Sequence, residues 1–168
     1  MSEAELVERA ADGDAAAFGV LVKDHQSRLR GFLRRLTRGD TALADDVAQD
    51  AFLEAWQNIG QFRREGAFAG WLARIAYRRY LKAARRRKLE PLDDVEMATI
   101  DAAPDTKLDL EKAMAHLSLP QRASLTMCFA LGYSHDEAAA ILEMPVGTLK
   151  SHIARGRERV RQLLEYER

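Results

Sequence analysis

Basic and aromatic side chains are interleaved in one stretch near the middle of the chain. Positions 74 to 88 hold eight basic residues and no acidic residue, an arrangement that suits binding to phosphate groups. Aromatic rings lie around these bases, and each ring can stack on an exposed nucleic-acid base for about 1–3 kcal/mol. The pattern favours binding of single-stranded nucleic acid, with a merely solvated charged face as the alternative. The basic residues are Arg74, Arg78, Arg79, Lys82, Arg85, Arg86, Arg87 and Lys88, and the rings are Phe62, Phe68, Trp71, Tyr77 and Tyr80.

A second basic region has the pattern of two helices joined by a tight turn. Ser134 and Glu137 predict a capping box at the start of the first helix, and Pro145 suits the start of the second, over about residues 146–162. Leu149 and Ile153 repeat at helical spacing and are predicted to face inward. The stretch is therefore interpreted as a helix-turn-helix that reads duplex DNA, with use in protein contact alone as the alternative.

An acidic segment separates these two regions. It contains Pro91 and Pro104, has little helical periodicity and is predicted to be a linker between two helical modules. About twenty linker residues can extend to roughly 60 Å, and their charge can screen the basic helices. We therefore expect the free protein to bind DNA weakly. The acidic residues are Glu90, Asp93, Asp94, Glu96, Asp101 and Asp105.

The composition predicts an all-α fold of two small helical bundles joined by a flexible acidic linker, the second containing the helix-turn-helix. The chain has 168 residues, of which 47% are hydrophobic, so a packed core is expected. No apolar stretch approaches the roughly 18 residues of a membrane span, and we expect a cytoplasmic protein. The single cysteine, Cys128, and four scattered histidines show no ligand spacing, so we expect neither a metal nor a cofactor.

Three helices of the first module can be placed from their apolar spacing. One contains Phe18 and Leu36 and ends near Gly39, and a second covers about residues 41–59. The second carries an acidic face with an exposed leucine, which is either a docking face or a solubility feature. In the third, Phe68, Leu72, Ile75 and Ala76 are predicted to pack inward, leaving Arg74, Arg78, Lys82 and Arg85 on another face.

Three motifs in a fixed order resemble the extracytoplasmic-function (ECF) group of bacterial sigma-70-type sigma factors. Residues 44–56 (ADDVAQDAFLEAW) resemble the helix of that group that binds core RNA polymerase. Residues 68–76 (FAGWLARIA), with the following arginines, resemble its promoter-melting helix. Residues 119–122 (LPQR) and 145–151 (PVGTLKS) resemble its carboxy-terminal helix-turn-helix.

The resemblance implies a division of the chain into region 2 over residues 1–88, a linker over 89–107 and region 4 over 108–168. It assigns core polymerase binding, through the β′ clamp, to Asp45, Asp46, Gln49, Asp50, Leu53 and Glu54. It assigns contacts with the minus-ten promoter element to Phe62, Arg63, Arg64, Trp71, Arg74, Tyr77, Arg78, Lys82 and Arg85. It assigns contacts with the minus-thirty-five element to Thr148, Lys150, Ser151, His152, Arg155, Arg157 and Arg159.

The implied partners are core RNA polymerase, through its β′ clamp and β subunits, promoter DNA and an anti-sigma factor, and the implied setting is a stress response. A stand-alone helix-turn-helix regulator is the main alternative, but it leaves the basic helix of the first module without a role. A small helical enzyme is a second alternative. No Gly-rich phosphate loop, nucleophile elbow or converging carboxylate pair supports it, so we expect no catalytic activity.

Three residues depart from the pattern of the group. Arg78 stands where asparagine is frequent, and His152 stands where arginine is common. Glu143 replaces the usual glycine of the helix-turn-helix turn. If Glu143 adopts the left-handed conformation of that turn, it costs roughly 1 kcal/mol relative to glycine.

Overall fold

The computed structural model describes residues 1–62, 66–95 and 110–165, and every regular element in these ranges is helical. Four α-helices form an amino-terminal bundle and four form a carboxy-terminal bundle. The first four are α1 (Glu3–Ala11), α2 (Ala15–Leu36), α3 (Thr41–Asn58) and α4 (Phe68–Arg87). The second four are α5 (Leu110–Ala115), α6 (Leu119–Leu125), α7 (His135–Leu142) and α8 (Val146–Glu165). A 3₁₀ turn (Ile59–Gln61) follows α3 and a π-helical turn (Thr126–Ala130) follows α6.

Side-chain caps begin the first three helices of the amino-terminal bundle. Asp14 accepts a hydrogen bond from the Ala17 amide at 3.1 Å, and Asp40 accepts one from the Leu43 amide at 3.0 Å. Each cap satisfies an amide that has no partner within the helix itself. The helix α1, which the sequence analysis did not predict, begins with a capping box in which Ser2 is the N-cap residue. These aspartates explain the observed start of α2 and the start of α3 predicted at about residue 41.

The carboxy-terminal bundle contains the predicted helix-turn-helix. Ser134 and Glu137 form the expected capping box at the start of α7, and Leu149 and Ile153 are buried on the inner side of α8. Gly156 brings α8 close to α6, because a Cβ atom there would lie 2.9 Å from Cδ1 of Leu125. The predicted motif is therefore confirmed, and a glycine inside α8 allows the close packing.

The two bundles pack directly against each other. Helices α2 and α4 of the first bundle contact α5, α6 and α7 of the second. A Cβ atom built on Gly70 of α4 would lie 3.5 Å from Cδ1 of Ile141, so α7 lies against α4 at a position without a side chain. The Arg28 guanidinium donates a hydrogen bond to the Leu131 carbonyl at 2.6 Å and lies over the Tyr133 ring. The separate modules expected from the sequence thus share an interface in this structure.

A buried ion pair lies at the centre of this interface. The Arg122 side chain is fully buried and donates to both carboxylate oxygens of Glu90, at 2.9 and 2.7 Å. Arg122 also donates to the Leu36 carbonyl at 2.8 Å, which joins α6 to the end of α2. The Tyr80 hydroxyl donates to Glu90. Burial, together with this carboxylate, raises the pKa of Tyr80. The start of the predicted linker is therefore fixed between the two bundles.

Loss of the Glu90 charge should destabilise the folded protein. A Glu90→Gln substitution leaves Arg122 buried without a counter-ion, a situation that typically costs 3–5 kcal/mol. We expect the free energy of unfolding, measured by urea denaturation followed by circular dichroism, to fall by about 3 kcal/mol. The matched change Glu158→Gln, at an exposed carboxylate of α8, should alter it by about 0.5 kcal/mol or less. Equal effects of the two substitutions would contradict the structural role of the ion pair.

The described residues were also searched for a membrane-spanning helix and for a metal site. Among them, no helix is both long and apolar enough to cross a membrane. Within the same ranges, no group of histidine, cysteine and carboxylate side chains converges as a metal site would require. Cys128 is partly buried, and this burial raises the pKa of its thiol.

Candidate protein and nucleic-acid interfaces

One side of α3 carries the acidic face predicted from the sequence. Asp46, Gln49, Asp50 and Leu53 are exposed, and the Leu53 side chain is 55% accessible, although large aliphatic side chains are usually buried. The other two members of the face are half-buried and contact arginines of the same bundle. Asp45 lies 3.7 Å from the Arg30 guanidinium, and Glu54 accepts a hydrogen bond from Arg79.

An apolar groove runs beside this acidic face. It has a volume of about 550 Å³ and lies between α2 and α3. The Phe18 and Trp56 rings pack in its wall with their centroids 5.1 Å apart. Carboxylates therefore border an open hydrophobic surface, a combination that fits a protein partner with both apolar and basic side chains.

The basic face of α4 is exposed as predicted, but two of its arginines are already paired. Arg74, Arg78, Lys82 and Arg85 are all exposed, whereas Phe68, Leu72, Ile75 and Ala76 are buried. Arg74 Nε donates to Glu143 Oε1 at 3.1 Å, and Arg78 Nε donates to the same oxygen. The hydrogen bond from Arg78 is the main reason that the pKa of Glu143 is lowered.

Aromatic rings collect at the amino-terminal end of α4. The Phe62, Phe68 and Trp71 rings lie with centroids 5.2 to 5.9 Å apart, and Phe62 and Trp71 are only partly buried. Tyr77 and Tyr80 differ, because they are 5% and 2% exposed within the bundle. Burial is also the main cause that raises the pKa of Tyr77 to about 12. In this conformation Tyr77 cannot stack on a base, contrary to the expectation from its position among the arginines.

Two of the residues predicted for minus-ten contacts, Arg63 and Arg64, lie outside the described residues. So do Glu96, Asp101, Pro104 and Asp105 of the predicted linker. The described part of the linker, which contains Glu90 and Asp94, is non-helical and makes contacts with both bundles.

The outer face of α8 presents most of the residues predicted to read duplex DNA. Thr148, Lys150, Ser151, Arg155 and Arg157 are exposed, and Arg159 is half-buried. His152 is different, because it is 7% exposed and faces the bundle interior beside Leu149 and Ile153. Burial is the largest cause of its lowered pKa. A direct base contact from His152 is therefore incompatible with this conformation.

Asp94 of the linker lies against the first half of α8. Its carboxylate oxygen Oδ2 forms an ion pair with the Arg155 guanidinium at 2.6 Å and lies 3.4 Å from Nδ1 of His152. It also accepts hydrogen bonds from Ser118 at 2.7 Å and from Gln121 at 2.8 Å. The sequence predicted that linker acids screen the basic helices, and the structure identifies Asp94 as an acid that pairs with α8.

Comparison with known proteins places both bundles in one family. The sigma-70 region 2 family model matches residues 21–90, and the sigma-70 region 4 model matches residues 107–160. The chain is 37% identical over 169 residues to the ECF RNA polymerase sigma factor SigM of Mycobacterium tuberculosis strain H37Rv. That alignment covers 98% of this chain and 86% of the relative.

Two solved structures share the arrangement of the fold. The sigma factor RpoE, in complex with the anti-sigma factor NepR from Bartonella quintana, matches with a TM-score of 0.66 at 30% identity. The match covers 90% of this chain and 98% of RpoE. CnrH, in complex with the cytosolic domain of CnrY, matches with a TM-score of 0.72 at 26% identity over 97% of both chains.

Two sigma-factor regions in the expected order, on an all-helical fold with a helix-turn-helix, define the class of protein. The chain belongs to the ECF group of sigma-70-type sigma factors. Its function is that of an RNA polymerase sigma factor, which binds core RNA polymerase and directs promoter-specific initiation of transcription. The alternative of a stand-alone regulator does not account for the region 2 match.

Proposed function

We propose that residues 1–88 bind core polymerase and the minus-ten element, that residues 89–107 link the two bundles, and that residues 108–168 bind the minus-thirty-five element. The observation that carries this proposal is the separation of charges within the amino-terminal bundle. Helix α3 exposes a group of carboxylates and helix α4 exposes a group of arginines, so a protein and a nucleic acid can bind different helices of one bundle.

The acidic face of α3 is the proposed contact with the β′ clamp of core polymerase. Asp46, Gln49, Asp50 and Leu53 are exposed, and Leu53 also borders the apolar groove. Asp45 and Glu54 would supply further charge at the edge of the contact. Apolar burial would supply most of the affinity, while the carboxylates would select a basic partner surface and set its orientation.

The exposed side of α4 is the proposed contact with the non-template strand at the minus-ten element. The cationic side chains would bind phosphates, and the partly exposed Phe62 and Trp71 rings would hold bases extruded from the duplex. We do not assign a base contact to the buried Tyr77. The proposed phosphate ligands are Arg63, Arg64, Arg74, Arg78, Lys82 and Arg85.

Helix α8 is the proposed reader of the minus-thirty-five element in the major groove. Lys150, Ser151 and Arg155 lie in the first half of the helix, where side chains reach base edges. Thr148 lies in the first turn beside them. Arg157 and Arg159 would bind phosphates and so position the helix without specifying sequence. His152 would act by packing inside the bundle.

The remaining parts of the proposal concern partners and setting. The solved neighbour RpoE is a sigma factor in complex with an anti-sigma factor, so we propose that an anti-sigma factor also restrains this chain. The β subunit is a second polymerase contact, the chain acts in the cytoplasm, and its activity consists of binding, without a catalytic step of its own.

Run-off transcription with purified core polymerase tests the proposed reading role of α8. We expect Arg155→Ala to lower the yield of specific transcripts about tenfold, because one good base contact contributes about 1–3 kcal/mol. The matched control is Arg161→Ala, since Arg161 is exposed on the same helix but pairs with Glu158 and Glu165. Equal yields from the two variants would contradict the role given to Arg155.

A further inference from the structure

We propose that the carboxy-terminal end of α4 binds the phosphate backbone of duplex DNA directly upstream of the minus-ten element. Arg86, Arg87 and Lys88, called the terminal basic turn below, carry this contact. They belong to the run of cations at positions 74 to 88, and none of the contacts assigned above involves them. This role goes beyond the proposed function and rests on it, because the minus-ten and minus-thirty-five assignments determine which end of α4 faces upstream.

The terminal basic turn extends beyond the packed core of its bundle. Ala84 is the last buried residue of α4, and residues 85 to 89 are all exposed. Successive side chains of an α-helix project about 100° apart around its axis. The cations at this helix end therefore point in different directions, and together they can reach more than one phosphate.

The charges of the terminal basic turn are not neutralised within the described residues, where no carboxylate pairs with any of the three side chains. Glu90, the next acid along the chain, is turned inward. Its side chain is 4% exposed and pairs with Arg38 and Arg122. Arg79 on the same helix differs, because it pairs with Glu54. The helix end is therefore a site of uncompensated positive charge, which attracts phosphate.

Lys88 occupies a backbone position that favours glycine. Its φ is 52°, in the left-handed region, and its amide closes the end of α4 on the Ala84 and Arg85 carbonyls. Helices frequently end with glycine at such a position, because a Cβ atom is disfavoured there. The backbone conformation therefore gives no reason for a lysine, whereas a phosphate ligand does.

The two ends of α4 differ in the form of nucleic acid that they can bind. The partly exposed Phe62 and Trp71 rings lie at its amino-terminal end, where unpaired bases can stack on them. No aromatic residue occurs between positions 81 and 95, so the terminal basic turn has no ring for an unpaired base. A cationic surface without rings is suited to the phosphates of paired DNA, and it binds them without a preference for sequence.

The course of the chain indicates where this paired DNA lies. Helix α4 has 20 residues and is therefore about 30 Å long, the length of about nine base-pair steps. The linker leaves it at residue 89 and leads to the bundle proposed to bind the minus-thirty-five element. Because the amino-terminal end of α4 is the proposed site of the minus-ten bases, its carboxy-terminal end would face upstream, over the duplex between the two elements.

Contacts with phosphates make binding depend on salt in a way that can be counted. Each phosphate that a cation neutralises on duplex DNA contributes about 0.9 to the slope of log K against log salt concentration. The test variant combines Arg86→Gln, Arg87→Gln and Lys88→Gln. We expect it to lower this slope by about two to three and to weaken promoter binding about tenfold at about 0.1 M salt.

The experiment measures the binding of promoter DNA to core RNA polymerase saturated with the full chain, by fluorescence anisotropy. The promoter is one from which this complex starts specific transcripts. One fragment has natural phosphates, and a second carries uncharged methylphosphonate linkages in the duplex directly upstream of the minus-ten element. We expect the wild type to bind the second fragment about tenfold more weakly than the first, and the variant to bind both fragments equally.

A matched variant controls for the loss of three positive charges. It combines Arg9→Gln, Lys23→Gln and Arg161→Gln, three exposed cations on α1, α2 and α8 that have no assigned contact with DNA. This control should distinguish the two fragments as the wild type does. Circular dichroism and urea denaturation show whether each variant is folded and how stable it is.

Equal binding of the test variant and the control to the natural fragment would overturn the proposal. So would a test variant that binds less tightly but still distinguishes the two fragments about tenfold, because the three cations would then act elsewhere. Cations can also stabilise a helix end through its dipole, and that role alone would change the free energy of unfolding and leave the discrimination intact. If the proposed function itself fails, the wild-type complex binds neither fragment specifically, which overturns both proposals.

Discussion

Reversal of two charges on α3, Asp46→Lys with Asp50→Lys, should weaken binding to core RNA polymerase about 100-fold. The two residues lie one helical turn apart on the exposed acidic face, so both would meet the same partner surface. Charge pairs that are desolvated at an interface typically contribute 2–5 kcal/mol, and like charges add repulsion. A loss of about 3 kcal/mol corresponds to roughly 100-fold in the dissociation constant. The measurement is a titration of labelled protein with purified core.

A matched double substitution controls for the change in net charge. Asp12→Lys with Asp24→Lys makes the same change at two exposed positions, one directly after α1 and one in α2, that do not line the groove beside the acidic face, and it should bind core nearly as tightly as the wild type. Circular dichroism checks that both variants remain helical. If the reversal at Asp46 and Asp50 binds core as well as this control, α3 is not the polymerase contact.

Local sequence rules were sufficient to predict most of the helices and the capping box of α7. The Ser134 capping box and the inward stripe of α4 were predicted, and the structure contains both. The left-handed conformation of Glu143, which was considered only as a condition, is also present. These features depend on residues within about one or two helical turns, so periodicity and cap chemistry determine them. The short helix α1 was missed, although Ser2 and Glu5 form the same capping signature.

Two residues predicted to contact DNA, Tyr77 and His152, are buried in this structure for a reason that is also local. Tyr77 lies four residues after the buried Ala73 and three before the buried Tyr80, and His152 lies three residues after the buried Leu149. Helical spacing therefore places both on inward stripes. The polar or aromatic character of these two residues and their basic neighbours suggested that they are exposed. Their helical spacing from buried residues indicates burial, which is what the structure shows.

The contacts between the bundles could not be predicted in the same way. Glu90 and Arg122 are 32 positions apart, and Arg78 and Glu143 are 65 positions apart. No periodicity links residues at such separations, because their meeting depends on how two complete bundles pack. The sequence marked Arg78 and Glu143 as departures from the pattern of the group, but only the structure showed that they are partners.

A disulfide between α4 and α7 should abolish transcription by holding the two bundles together, because they are proposed to bind separate promoter elements. A Cβ atom on Gly70 lies 3.8 Å from Cγ1 of Ile141, a position that the sulfur of a cysteine can occupy, so a small adjustment would bring the two cysteine side chains to bonding distance. The variant carries Gly70→Cys and Ile141→Cys, with Cys128→Ser to remove the native thiol. The covalent bond cannot yield to polymerase or promoter as the non-covalent contacts of the interface can.

The single-cysteine proteins, with either Gly70→Cys or Ile141→Cys, serve as controls for oxidation itself. Each should support equal run-off transcription before and after oxidation, because no intramolecular bond can form. Thiol titration of the double variant establishes the fraction that is cross-linked. The reduced double variant measures any cost of the two substitutions, including the loss of the buried Ile141 side chain.

Run-off transcription by core polymerase with the cross-linked protein is the most direct test of the central claim, that the two bundles must separate to read a promoter. We expect the oxidised protein to give at least a 50-fold lower yield of specific transcripts than the reduced protein, a ratio that corresponds to about 2.3 kcal/mol. The yield should recover on reduction. Equal yields from the oxidised and reduced forms would contradict the claim.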